Sequence, residues 1–214
     1  MVAGLLFLAL AFFAVGQAGA SRNGTQAAAD AAALAAAQES RDQFRAELLG
    51  NLLTPGYLDD IFNGNPLGTA HGCEVAARFA NGNKADLDGA GGCHALSDRW
   101  GFAVGVISQK PMGDSILSGT RNERATAEAT AVVEPRCSFK PAEVETKPSE
   151  EPADPAPSDS PAPDDSAAPD DPADTEPESP GSLVCDGTKW SIDPEHLELL
   201  PEMADLFSVR LAQD

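Results

Sequence analysis

Four cysteines and three histidines are the residues here whose types could do chemistry: Cys73, Cys93, Cys137 and Cys185, with His71, His94 and His196. In an exported domain four cysteines point to two disulfides. Three pairings are possible, and Cys73 with Cys93 plus Cys137 with Cys185 is the most economical. The second bridge would close a long loop and stabilise the fold by roughly 4 kcal/mol if its effect is entropic. The alternative is a metal. "HGC" and "CH" place His71, Cys73, Cys93 and His94 as two sulfurs and two imidazoles, a possible zinc set. Its spacing is irregular, and an oxidising compartment consumes thiols first.

Other constellations are thinner. "DLDG", with Asp86 and Asp88 before Gly89, has the start of a calcium loop but neither its third acidic position nor its closing glutamate. It reads as a surface turn. No Gly-x-Ser-x-Gly elbow, phosphate loop or His-Glu-x-x-His helix occurs. No catalytic, cofactor-binding or metal residue is therefore assigned, and no cofactor is expected. The net charge of −20 opposes binding to a phosphate backbone, so no nucleic-acid partner is expected and an electrostatic partner should be basic.

The elements that would carry these residues begin with an uncharged run, "MVAGLLFLALAFFAVGQAGA". Twenty helical residues rise about 30 Å, the thickness of a bilayer's hydrocarbon core. The run reads as a transmembrane segment over residues 1–20, or as a signal peptide cleaved after "AGA". It lacks a preceding basic segment, which suggests a start site placed too late. The composition of the next thirty or so residues favours the anchor. Residues 26–49 hold no proline or glycine and are rich in alanine, the best helix former. Phe44, Leu48 and Leu52 recur every fourth residue, with Leu49 and Leu53 beside them. The pattern predicts one continuous helix of about fifty residues, half in lipid, ended by Pro55.

Beyond it, "TPGYLDDIFNG" reads as a short helix with Thr54 as N-cap and Pro55 in its first turn. "CEVAARFANG" reads as a second, with Val75 and Phe79 on one face and Gly82 as cap. Trp100, Phe102, Val104 and Val106 alternate as in a strand. In "RATAEATAVVEP" Ala125, Ala127, Ala129 and Ala131 point one way, with Thr126, Glu128 and Thr130 opposite. Such a bare face suits close packing against an alanine-rich helix. Residues 138–182 are dominated by proline, acid, serine and alanine, and read as a disordered, self-repelling linker. Order should resume over 183–214: "SLVCDGTKWSI" as a strand, "DPEHLELLPEM" as a short helix capped by Asp193, and "LFSVRLAQD" as either. Because Cys185 lies beyond the linker, this segment should return to the main domain.

The apolar leader, "RNGTQAAADAAALAAAQ", "CEVAARFANGN…GC" and a strand pair ending in "RATAEATAVV" together resemble the TadE/TadG-like pilus-assembly proteins of the Flp/Tad type, in particular actinobacterial ones. The resemblance spans roughly residues 1–137, and "QAAADAAALAAA" is its most specific element. It implies an α+β fold: a long N-terminal helix, transmembrane then extramembrane, on a small antiparallel sheet, pilin-like, with the proline- and acid-rich stretch as an insertion. It further implies a non-enzymatic, single-pass protein in the cell membrane whose part C-terminal to the anchor, with residues 21–137 as its pilin-like domain, is extracytoplasmic. Its partners would be other pilus-assembly or pseudopilin subunits, and lipid through the helix. Asp30 would then lie roughly 15 Å beyond the lipid boundary, where it either solvates the helix or contacts a basic group on a neighbouring subunit. The other reading is a secreted or surface-tethered binding module with its leader removed.

Overall fold

A computed structural model describes residues 2–64, 66, 68–69, 71–111, 122–142 and 179–212, without the side chains at 3, 11, 14, 15, 17 and 18. Helix α1 (Val2–Gly50) is unbroken for 49 residues. Its second half is not solvated: Ala28, Ala29, Ala32, Ala33, Ala36 and Ala37 are completely buried. A helix apolar nearly all round must be covered on more than one side. Here the sheet strands β3, β4 and β8 lie on one flank and helix α3 on another.

Helix α2 (Tyr57–Asn63) starts later than the sequence suggests. Thr54 and Pro55 lie in turns, and the cap is Gly56 in the left-handed region at φ 81°, where a Cβ would be strained. In α3 (Cys73–Gly82) the buried residues are Val75, Ala76 and Ala80, whereas Phe79 is 48 % exposed. Val75 and Phe79 therefore do not share the core face, and Asn83, not Gly82, caps the helix through Phe79 and Ala80 carbonyls.

Two antiparallel sheets complete the head. Strands β1 (Ala85–Leu87) and β2 (Cys93–Ala95) both pair with one edge of β3 (Gly101–Ser108). Beyond β3 lie β4 (Thr126–Pro135) and then β8 (Phe207–Leu211). Phe102, Val104 and Val106 on β3, and Ala125 and Ala131 at β4, are buried toward α1. The chain passes from β4 through Arg136 into β5 (Cys137–Pro141), which pairs with β6 (Gly181–Cys185), itself paired with β7 (Thr188–Ser191). Thus "SLVCDGTKWSI" is a hairpin and not one strand. Asp186 (φ 47°) and Gly187 (φ 83°) make the turn, an Asp-Gly pair suited to two left-handed residues.

Strand pairing enters the span read as linker at both ends, since β5 reaches Pro141 and β6 begins at Gly181. The rest of that linker, residues 143–178, lies outside the described residues. In "DPEHLELLPEM" only Leu197–Leu199 form a 3₁₀ turn, with His196 in the cap position. The Asp193 carboxylate instead accepts from the Glu195 amide (3.0 Å), a local turn that competes with helix. Helix α4 (Met203–Leu206) leads directly into β8, so within "LFSVRLAQD" the residues Phe207–Leu211 are strand and Leu206 closes the helix.

An aromatic cluster joins these parts. Phe207 stacks on Phe62 (5.3 Å between centroids) and meets Trp100 edge-on (5.2 Å), and Trp100 in turn meets Phe44 (4.9 Å). Beneath it the Trp100 indole donates to Ser40 Oγ (2.8 Å), and Ser40 donates to the Thr69 carbonyl (2.7 Å).

Candidate functional site: helix α1 and the faces it leaves open

The two halves of α1 differ in what covers them. Over residues 2–13, Val2, Leu5, Leu6, Phe7, Leu8, Leu10, Phe12 and Phe13 are each more than half exposed. On the order of several hundred square ångströms of aliphatic and aromatic surface is thereby left exposed, which is costly in water. Among the described residues, however, no helix is long and apolar enough to cross a membrane. The transmembrane segment expected over residues 1–20 is thus not found among them.

Asp30 is half-buried where α1 meets β4, and the structure gives it an intramolecular partner. Gln26 Nε2 donates to Asp30 Oδ1 (2.9 Å) and to the backbone carbonyl of Glu128 on β4 (3.0 Å). One turn earlier, Thr25 is buried and its hydroxyl donates back to the Ser21 carbonyl (2.9 Å). That bond satisfies the hydroxyl without leaving the helix.

The cysteines are paired as two disulfides. Cys73 at the start of α3 is joined to Cys93 on β2, and Cys137 on β5 to Cys185 on β6. Cys137 and Cys185 are register partners with Cα atoms 4.1 Å apart, within the reach of a cross-strand bridge. The alternative zinc set therefore has no free sulfur, and His71 and His94 are both exposed. Asp86 lies in β1 and accepts from Gln109 (3.0 Å), and Gly89 makes a turn at φ 67°.

Two polar groups matter that sequence reasoning did not single out. Ser40 is fully buried and sits on the same four-residue spacing as Ala36, Phe44 and Leu48. A polar side chain on an otherwise apolar stripe was the available signal. The Tyr57 hydroxyl is buried and has no hydrogen-bond partner among the described residues. Burial, with the Glu47 charge adding to it, pushes its pKa up to about 12. At the far edge Arg210 on β8 donates to Glu134 on β4 (2.8 Å), holding that carboxyl below its ordinary range.

The surface concavities are shallow. One lies over β3 between His94 and Glu128, and another at the start of α3 beside His71 and Arg78. The molecule's most distinctive surface is an exposed apolar helix continuous with a disulfide-bonded α+β head. Residues 1–39 match the family model described as putative Flp pilus-assembly TadE/G-like. No curated protein and no solved structure matches the chain. The match falls on the apolar half of α1 and on most of its alanine-rich half, and supports a role in Tad pilus assembly with association to the cell envelope.

Proposed function

We propose that this protein is a membrane-anchored, minor pseudopilin-like component of a Flp/Tad-type pilus or secretion assembly, acting by helix packing and not by catalysis. One observation carries the reading: the family match covers residues 1–39, where an exposed apolar stretch runs without a break into a buried alanine rod. In this reading the first twenty residues enter the lipid bilayer and the head stands outside the cell membrane. There it meets other pilus-assembly or pseudopilin subunits. Small side chains favour this work because they let helix backbones approach closely. Asp30 contacts a basic group on a neighbouring subunit.

Membrane fractionation of cells making the full chain, with intact mass measured on the recovered protein, tests the anchor. Recovery in membranes with residues 1–20 retained, together with crosslinks to other pilus components, is the expected result. Release into the medium with those residues missing refutes it and favours the secreted binding module. For Asp30, replacement by asparagine is expected to lower crosslinked recovery of pilus partners by removing the charge. Unchanged recovery refutes that contact.

A further inference from the structure

Strand β8 covers only part of the outer edge of β4. Their register runs from Pro135↔Phe207 to Ala131↔Leu211, and the Ala212 amide adds a last bond to the Thr130 carbonyl (2.8 Å). Beyond that point no strand pairs with residues 126–129 on this side, among the described residues. Backbone groups alternate along an antiparallel strand. Since Thr130 faces β8, the carbonyl of Glu128 faces the open edge too. An unpaired edge of this kind is a template for another strand.

The position where the next strand amide would sit is filled by a side chain. Gln26 Nε2 lies 3.0 Å from the Glu128 carbonyl, continuing the line of donors from Ala212. A primary amide has two N–H groups, so Gln26 gives one to β4 and the other to Asp30 Oδ1 at 2.9 Å. Asp30, one helical turn on, fixes the direction in which the amide points. The result is a side-chain mimic of one peptide group, supplied by the helix to the sheet.

We infer that Gln26, oriented by Asp30, is a latch that closes the open edge of β4 against strand addition by a second copy of this chain. A second copy fits because the edge is self-complementary. Antiparallel pairing centred on Ala127 sets each Glu128 opposite a Thr126 of the other copy and never opposite the other Glu128, so like charges do not meet directly. The edge is short, and one side chain suffices to block it. This inference does not depend on the pilus reading.

The test compares the full-length protein in detergent micelles with Gln26→Met, which keeps the side chain's length and removes its donors. Amide exchange is followed residue by residue at two protein concentrations, and mass by light scattering. In the parent, exchange at Thr126 and Glu128 is expected to be independent of concentration. In Gln26→Met, dilute protein should exchange Ala127 and Ala129 roughly two- to tenfold faster, the effect of losing one partly exposed hydrogen bond. Concentrated protein should associate and become protected at Thr126 and Glu128. Asp30→Asn retains the accepting oxygen and should behave as the parent, whereas Asp30→Ala should follow Gln26→Met. Exchange in Gln26→Met identical to the parent overturns the latch. Faster exchange without association overturns the second copy as the strand it excludes. Asp30→Asn separates this role from a charged contact with another subunit, which that substitution would abolish.

Discussion

Replacing Ser40 with alanine removes one atom from the centre of the head, and the structure sets its cost. Ser40 has no exposed surface and Trp100 only 3 %. The serine hydroxyl is the acceptor for the Trp100 indole N–H at 2.8 Å and the donor to the Thr69 carbonyl at 2.7 Å. In the variant the indole N–H is left in a dry site, at about 1–3 kcal/mol for a buried donor without a partner. Alanine's better helix propensity returns about 0.5 kcal/mol. A net loss of about 1.5 kcal/mol is expected. In urea this shifts the unfolding midpoint down by about 0.75 M, for a slope near 2 kcal/mol per molar. The readout is far-ultraviolet circular dichroism of the disulfide-intact protein, which is common to every variant of the cycle. Trp100→Phe supplies the control, because it keeps an aromatic ring against Phe44 and Phe207 but removes the donor. In the double variant the cost of Ser40→Ala should shrink by about 1 kcal/mol or more. A Ser40→Ala loss below about 0.3 kcal/mol, or strict additivity with Trp100→Phe, refutes the account.

Tyr57 is the single tyrosine in the chain, so tyrosinate absorbance reports on it alone. Its midpoint is expected near 12 in the folded protein, and a midpoint near 10 refutes the burial argument. Because the folded pKa is the raised one, the stabilisation is complete below about pH 10 and is lost as pH climbs through 12. The bridge between Cys137 and Cys185 spans 48 positions, and replacing both cysteines with serine is expected to cost roughly 4 kcal/mol in chemical denaturation. A protease cut within residues 143–178 should leave the two pieces migrating together until a reductant is added. Separation without reductant refutes the pairing.

Long-period features were legible in the sequence, and features set by a partner's position were not. The alanine alternation of residues 125–131 and the four-residue spacing of Phe44, Leu48 and Leu52 give the two packed surfaces because each repeats over several turns or pleats. The hairpin at β6 and β7 was hidden by a continuous β-prone composition, although "CDGT" contains its turn. Strands β1 and β2 are three residues each, too short to show a period, and exist because β3 offers an edge to both. Thr54 looked like a helix cap by type, but the left-handed conformation available at Gly56 set the start of α2 two residues further on. Asp30 was visible as the only charge in an alanine run. Its tie to Gln26 and β4 was not, since Glu128 is 102 positions from Gln26.

The blandness of the alanine stretch is a consequence of where it lies. A helix flanked by a sheet and by α3 needs thin sides, and the sheet answers with alanines of its own on β4. Phe102, Val104 and Val106 on β3 supply bulk along the rod, and the aromatic rings of Phe44, Trp100, Phe62 and Phe207 cluster at the end of the head away from the exposed apolar residues of α1. The rod is therefore gripped along its second half by many small contacts and locked at its far end by one aromatic cluster. That arrangement leaves the first half free to meet another surface without loosening the head. A substitution such as Ala32→Leu, which adds volume in the gripped stretch, should for that reason disturb the head's packing. An equal change among the exposed residues of the first half should leave the head's stability unaltered.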